Sequence, residues 1–397
     1  MAIDPSGSVT SPVGFEAGAT YAGMKTYGEG KLDLGIVKSE TMCAAAAVYT
    51  KNRLHSASID VNRAHLADRQ AQAVVCNAGI ANSSTGARGI SDARAMCDQV
   101  GAKLGVRPAD VLVCSTGVIG HYLPMDKVAS GIEAVTLSRN GGPQFASAIM
   151  TTDTRPKHAS VAFGDYVLGG CAKGSGMIHP NMATMLAFLA TDAPIDAAFL
   201  QESLSAVADD TFNLVSVDGD TSPSDTVMIL ANGARGGTRI GRGSDLAGSF
   251  VAALAELCTH LAKEIARDGE GATKLMEVRV SGAASTAEAR AMARLMTTSY
   301  LLKSAVHGAD PNWGRIVSVI GRSGLHVSEP GVTVAICGHQ VFAHEQPTEF
   351  DEVTVARAMQ ADEVSIEVAL GVGAGAAIAW GCDLTAEYVS INADYHT

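Results

Sequence analysis

Residues 171–189 read Cys-Ala-Lys-Gly-Ser-Gly-Met-Ile-His-Pro-Asn-Met-Ala-Thr-Met-Leu-Ala-Phe-Leu and lie near the middle of the chain. A glycine-rich turn with one lysine, Lys173, leads into a Pro-Asn corner and then into an apolar run. The Ala183–Thr184 bond follows that corner, so the Thr184 hydroxyl is held where another backbone carbonyl can approach it. A threonine nucleophile needs this arrangement. The alternative is a core segment in which Thr184 bonds a nearby carbonyl.

The bulk composition describes a globular, acidic chain. It has 397 residues, more than one ordinary core holds, which suggests two or three domains. Hydrophobic residues make up 47% and charged residues 18%, and the formal net charge is −12. Without a block of Lys or Arg, we expect neither nucleic acid nor an anionic membrane as a partner. Any anionic substrate must therefore be held by a few local groups.

The cysteines and the apolar runs indicate the cellular compartment of the protein. The eight cysteines are scattered singly, as expected of reduced thiols in the cytosol. No apolar run reaches the roughly 18 residues of a membrane span, and the N-terminus lacks a signal-peptide pattern. We therefore expect a cytoplasmic protein. No histidine or cysteine pair has metal-ligand spacing, so no metal site is expected.

Short β-like runs alternate with helical patterns, which indicates an α/β or α+β fold. A hairpin is predicted at 161–168, and further strands at 73–76, 111–114, 276–280, 331–337 and 364–370. Four helices are predicted: one capped by Ser91, one starting at Met125 or Asp126, one over 246–265 and one capped by Ser285. We predict three domains, at 1–193, 194–275 and 276–397.

Several polar motifs could carry chemistry. Thr116 and Gly117 follow a buried strand, where a glycine allows backbone N–H groups to face an oxyanion, although a plain strand-to-helix turn has the same pattern. Lys173 could bind an anion or be solvated. Residues 151–157 could line a polar cleft or form a solvated loop. Glu270, between two glycines, could bind an ammonium group or follow an ordinary helix end.

Two further motifs are less decisive. Residues 218–225 look like a calcium loop, but Pro223 stands where glycine is required, so calcium is rejected. Residues 307–315 contain one of the two tryptophans, and they could line a site or form a structural corner.

Taken in order, these segments resemble the glutamate N-acetyltransferase/ornithine acetyltransferase family of arginine biosynthesis over nearly the whole chain. The segments that carry the resemblance are Ser115–Gly120, Met150–Thr154, Lys173–Met177, Pro180–Leu186, Asp218–Ser222, Asp268–Gly271, His307–Arg315, Gly381–Thr385 and Ile391–Asn392. Separated motifs in one order are far more specific than any motif alone. His179 lies at a position that the resemblance does not fix; it could influence self-cleavage or face solvent.

The resemblance implies a layered αββα-type sandwich with smaller middle and C-terminal α+β domains. It implies that the precursor cuts itself between Ala183 and Thr184, giving an α chain 1–183 and a β chain 184–397 that assemble as α2β2. Thr184 would be the N-terminal nucleophile, with Thr116 and Gly117 as the oxyanion hole. The residues implied to line the substrate site are Thr151, Lys173, Thr184, Glu270, Asn392 and Thr397.

The implied reaction moves the acetyl group of N2-acetyl-L-ornithine to L-glutamate through acetyl-Thr184, so ornithine leaves and N-acetylglutamate forms with ping-pong kinetics. The freed α-amine of Thr184, with an ordinary pKa of about 7.7–8.0, would be the general base. No cofactor is implied. Some members of the family also use acetyl-CoA as a co-substrate, and the residues quoted do not separate the two kinds.

Two alternatives remain open from the residues. One is a self-processed N-terminal-nucleophile aminopeptidase or amidohydrolase, in which water is the acceptor. The other is a binding or assembly protein that keeps the fold and never matures. The presence of Thr184, Thr116, Gly117 and Lys173 argues against the second alternative.

Overall fold

A computed structural model describes residues 1–25, 30–179 and 185–394. Within them, sixteen strands form a nine-stranded and a seven-stranded sheet, both mixed. The strands are β1 (Ile3–Asp4), β2 (Phe15–Thr20), β3 (Leu34–Tyr49), β4 (Gln70–Ile80), β5 (Val111–Val118), β6 (Lys157–Phe163), β7 (Tyr166–Lys173), β8 (Leu186–Thr191), β9 (Val215–Ser216), β10 (Thr226–Ala231), β11 (Leu275–Ala283), β12 (Thr333–Ile336), β13 (His339–Ala343), β14 (Gln346–Pro347), β15 (Glu363–Ala369) and β16 (Gly375–Cys382).

Eleven α-helices cover the sheets within the described part of the chain. They are α1 (Ala57–His65), α2 (Gly86–Leu104), α3 (Met125–Ala134), α4 (Gly142–Ala148), α5 (Ala197–Asp210), α6 (Ala247–Arg267), α7 (Thr286–Thr297), α8 (Tyr300–His307), α9 (Trp313–Arg322), α10 (Glu352–Ala358) and α11 (Ala386–Asp394). None of these helices has the length and apolarity required to cross a bilayer.

The first sheet has the order β1-β6-β7-β8-β10-β3-β4-β5, with β2 paired to β3. The pairs β8–β10 and β4–β5 are parallel and the others are antiparallel. Strand β8, which follows residues 180–184, is therefore central and fully buried. A central strand fixes the chain that leads into it, because its register is held by a neighbour on each side.

The second sheet has the order β14-β13-β12-β15-β11-β16-β9. Helix α6 packs against β6 and β7 of the first sheet and against β16 of the second, and α7 covers β11 and β16. Phe250, Leu254, Leu257, Leu261 and Ile265 lie on the buried face of α6 and belong to one apolar core with residues of both sheets. The two sheets thus share a core through α6.

Most sequence-based element predictions agree with this structure. The mixed α/β sandwich is confirmed, as are the 161–168 hairpin, the helix starting at Met125 and the cap at Ser285, whose side chain accepts from the Glu288 N–H. The helix cap at Ser91 is wrong, because α2 begins at Gly86 after a turn with positive φ at Asn82 and Ser84. The division at 193 and 275 stays a prediction; β10, which lies between those positions, pairs within the first sheet.

Candidate active site

A cavity of about 480 Å³ lies where the ends of β5 and β7 meet the loop after α6 and helix α11. Six of the predicted site residues line it: Thr116, Gly117, Thr151, Lys173, Glu270 and Asn392. The fold therefore brings together residues from positions 116 to 392. The predicted cleavage residues Ala183 and Thr184, and the predicted substrate residue Thr397, lie outside the described residues.

The wall formed by β5 consists of closely packed backbone. Gly117 is paired with Gly79 in the parallel register of β4 and β5. Gly117 has φ +127°, and a Cβ there would lie 2.3 Å from the carbonyl carbon of Gly79. Only glycine accommodates both the conformation and the approach. Strand β5 runs on to Val118, so the predicted end of the strand before Thr116 is wrong, and no turn occurs at Thr116 and Gly117. Both residues present closely packed strand backbone to the cavity, and backbone N–H groups that face a cavity can stabilise an oxyanion.

Lys173 provides the positive charge of the cavity wall. It is the last residue of β7, it is 5% exposed, and its Nζ donates to the Thr151 hydroxyl at 2.8 Å. The adjacent Gly174 donates its N–H to Asp153 at 2.7 Å. An ammonium group that is shielded from water yet faces a cavity is suited to bind a substrate carboxylate.

A buried ion cluster lies behind Lys173 and Thr151. Lys157 contacts the carboxylates of Asp153 and Asp268, and all three side chains are almost completely buried. Asp153 also accepts the Thr151 N–H at 2.9 Å. Burial alone would raise the pKa of Asp153, but Lys157, Lys173 and the hydrogen bonds outweigh it and hold that pKa well below its usual value. Thr151 and Thr152 thus line the cavity, and Asp153 and Lys157 anchor them from behind.

The opposite wall carries a carboxylate, Glu270. Its N–H donates to the Ser175 carbonyl at 2.9 Å, and its Oε2 accepts from Asn392 Nδ2 at 2.7 Å. A Cβ on Gly176 would lie 2.3 Å from the Glu270 carboxyl group, so the glycine leaves the space that this carboxyl occupies. The cavity therefore has a cation on one side and a fixed carboxylate on the other.

Asp218 holds the chain that enters residues 180–184. Its carboxylate accepts the N–H groups of Met177 and Ile178 at 2.6 and 2.9 Å. Burial raises the pKa of Asp218 despite these hydrogen bonds. The 218–225 motif, rejected above as a calcium loop, thus has a structural role beside the cavity. Within the described residues no cluster of His, Cys, Asp and Glu has the composition of a metal site.

Other residues of the cavity wall were missed from the sequence. They include Asn52, Asp218, Asp220 and Tyr388. Asn52 donates to the Thr221 carbonyl at 3.1 Å, and burial raises the pKa of Tyr388. Asp218 and Asp220 stand in a segment that carried the family resemblance, which is the one signal that could have identified them. Asn52 and Tyr388 have no local pattern that separates them from ordinary loop and helix residues.

The 307–315 motif forms a structural corner and does not line this cavity. His307 Nδ1 lies 2.8 Å from Asp383 Oδ2, and Trp313 stacks on Phe342 with ring centroids 5.3 Å apart. Asp383 also accepts the Thr273 and Lys274 N–H groups. The motif therefore ties α8 and α9 to the second sheet.

Comparison with known proteins identifies related sequences over the full length. The ArgJ family model matches residues 16–397. The "Arginine biosynthesis bifunctional protein ArgJ" of Dehalococcoides mccartyi is 45% identical over 100% of this chain and 98% of its own. The protein of the same name from Deinococcus radiodurans is 49% identical over 99% of this chain and 100% of its own.

A related crystal structure is that of the arginine biosynthesis bifunctional protein argJ from Bacillus halodurans. It matches with a TM-score of 0.51 and 45% identity, and the match covers 96% of that chain but 51% of this one. The matched polypeptide in that structure is therefore about half as long as this chain.

Proposed function

Because the chain belongs to the ArgJ family, we propose that it transfers the acetyl group of N2-acetyl-L-ornithine to L-glutamate in arginine biosynthesis, through an acetyl ester on Thr184. One observation carries the proposal: six residues assigned to this chemistry from the sequence line one cavity. The names of the full-length relatives, which place them in arginine biosynthesis, support it.

The first step is maturation. The Thr184 hydroxyl adds to the Ala183 carbonyl, the peptide nitrogen leaves as an amine, and water hydrolyses the resulting ester. This gives chains 1–183 and 184–397 and frees an α-amine on the nucleophilic residue itself. The half-length polypeptide of the Bacillus halodurans structure supports a two-chain form. We extend the proposal to an α2β2 assembly.

Acetyl transfer then needs a base, an oxyanion site and a means of holding the substrate. The α-amine, with an ordinary pKa of about 7.7–8.0, takes the proton of the Thr184 hydroxyl as it attacks the acetyl carbonyl. The backbone of Thr116 and Gly117 stabilises the oxyanion that forms. Ornithine leaves with a proton on its amine, and the glutamate amine attacks the ester in the reverse sense. Both amino-acid substrates use one site, which explains the ping-pong order.

The charges of the cavity suit amino-acid substrates. Lys173 would bind the α-carboxylate that acetylornithine and glutamate share. Thr151 orients the Lys173 ammonium group through the 2.8 Å hydrogen bond between them. Glu270, held by Asn392, would bind the side-chain ammonium of ornithine. Thr397 completes the site in this proposal.

We also propose that acetyl-CoA serves as a second acetyl donor for glutamate. The word "bifunctional" in the names of the relatives supports this assignment. No other cofactor is required, because the Thr184 ester carries the acetyl group between the two half-reactions.

The test combines mass spectrometry with an assay of transfer. The wild-type chain, Thr184→Ala and the control Thr238→Ala, at an exposed loop position, are purified and supplied with acetylornithine and glutamate. The wild type and the control should show masses of 1–183 and 184–397 and form acetylglutamate. Thr184→Ala should remain one chain without transfer. Release of acetate without acetylglutamate would favour the hydrolase alternative. Acetyl transfer by an unbroken chain would refute the assignment of Thr184 as the N-terminal nucleophile.

A further inference from the structure

The backbone on either side of residues 180–184 is held by hydrogen bonds. Before this segment, the Val217 N–H donates to the Ile178 carbonyl at 2.7 Å and the Thr221 hydroxyl donates to the His179 carbonyl at 2.9 Å. After it, the Met185 carbonyl accepts the Thr226 N–H at 3.0 Å. A short segment can be held in a strained conformation only if its ends are fixed. Contacts that fix these ends therefore influence any reaction within it.

The His179 side chain is part of the fixation on the entry side. Its Nε2 lies 2.8 Å from Nη2 of Arg294 on α7, and its Nδ1 lies 3.1 Å from the Ser216 hydroxyl. A guanidinium has no acceptor, so Nε2 must accept and the ring proton must be on Nδ1. Nδ1 then donates to Ser216, whose hydroxyl donates to the Ile178 carbonyl at 3.2 Å. A directed chain of hydrogen bonds thus runs from Arg294 to the backbone before residue 180.

The surroundings keep the imidazole neutral. Burial, with a further contribution from the Arg294 charge, lowers the pKa of His179 to about 4. Burial also lowers the pKa of Arg294, and no carboxylate within the described part of the chain offsets this. Arg294 is half-buried, and removing a guanidinium partly from water without a carboxylate partner costs free energy. Arrangements that are costly in this way are concentrated at functional positions.

We propose that His179 and Arg294 position the chain for self-cleavage and take no part in acetyl transfer. The inference rests on the proposed function, because it assumes cleavage at Ala183–Thr184. In that step the Oγ–C bond forms, the C–N bond breaks, and the hydroxyl proton ends on the nitrogen. His179 and Arg294 do not line the described cavity wall, so they are positioning residues for maturation alone.

The test follows cleavage of newly made protein in a cell-free translation system by pulse-chase. Arg294→Met removes the donor, while His179→Gln keeps an acceptor for Arg294 and His179→Asn keeps only a group near Ser216. Arg290→Met, on the same helix, is the control. We expect Arg294→Met and His179→Asn to cleave about tenfold more slowly or worse, and His179→Gln and Arg290→Met to cleave close to the wild-type rate.

Two further measurements make the outcome decisive. Chains that have matured are assayed, and the kcat and KM of Arg294→Met should equal those of the wild type. Folding is checked by the thermal transition of Arg294→Met in the uncleavable Thr184→Ala background. If that chain does not fold, the proposal is tested by the cleavage rates of His179→Gln and His179→Asn. Cleavage of Arg294→Met and His179→Asn at the wild-type rate, or a lowered kcat in the matured enzyme, would overturn the proposal. Failure of the wild type to cleave would instead refute the proposed function.

Discussion

Nζ of Lys157 lies 2.7 Å from Oδ1 of Asp153, and neither side chain reaches solvent. The same ammonium contacts Asp268, which directly follows α6. Asp153 in turn accepts the N–H groups of Thr151 and Gly174, so the ion pair holds the backbone beside both members of the Lys173–Thr151 contact. The cationic wall of the cavity therefore depends on a cluster that makes no contact with the cavity itself.

Replacing Lys157 by methionine should destabilise the protein strongly. It would leave the carboxylates of Asp153 and Asp268 buried without their cation, and such losses typically cost about 3–5 kcal/mol. We expect a lower free energy of unfolding in urea and a higher KM for acetylornithine. Lys51→Met, at an exposed position, is the control. A Lys157→Met protein as stable as that control would show that the pair contributes little.

Much of the candidate site could be predicted from the sequence because its residues lie near the ends of strands and helices. Lys173 ends β7, Gly117 is the next-to-last residue of β5, and Glu270 follows the end of a long helix. Glycine and strand-end patterns mark such positions without knowledge of the tertiary fold. The family resemblance then supplied the assignment of roles, and the structure brings six of the assigned residues together.

What could not be predicted depends on pairing between distant segments. The insertion of β10 between β8 and β3 and the sharing of α6 by both sheets are long-range events. For the same reason residues 151–157 were compatible with either a cleft or a solvated loop. Asp268, 111 residues beyond Lys157, decides between them, and no local pattern links the two positions.

The Asp225→Asn variant should show a stability difference that grows with pH. Asp225 is buried, its Oδ2 has no partner within the described structure, and burial raises its pKa well above the usual value. A raised folded-state pKa contributes stability below the unfolded pKa of about 3.9, and that contribution is lost as pH rises through the folded value. The free energy of unfolding of the variant, relative to that of the wild type, should therefore be higher at pH 8 than at pH 4.

Urea unfolding of both proteins at the two pH values measures this difference, which we expect to be about 1 kcal/mol or more. Asp165→Asn, in an exposed hairpin turn, provides the reference. Asp153 acts in the opposite direction: its lowered pKa contributes stability above the unfolded pKa that is lost as pH falls through the folded value. A difference independent of pH would mean that Asp225 is ionised in the folded protein.

Gly117→Ala should remove activity by separating two backbones. The new Cβ would lie 2.3 Å from the Gly79 carbonyl carbon, and φ at this position is +127°. We expect a loss of about 3 kcal/mol in stability and no detectable acetyl transfer. Gly86→Ala is the matched control, since its φ is +61° with no atom within 4 Å of the added Cβ. Similar losses in both variants would mean that positive φ, and not the approach to β4, is what matters.

Gly176→Ala should weaken substrate binding while the chain still folds. Its Cβ would lie 2.3 Å from the Glu270 carboxyl group, which is the end of a flexible side chain and can rotate away. The carboxylate would then leave the position held by Asn392. We expect a KM for acetylornithine raised about tenfold, as in Glu270→Gln, because each change would remove the charged hydrogen bond proposed between Glu270 and the substrate ammonium. Gly321→Ala, with open space around its Cβ, is the control. If Glu270→Gln raised KM and Gly176→Ala did not, the carboxylate would have remained in place. If neither did, Glu270 would not bind the ammonium group.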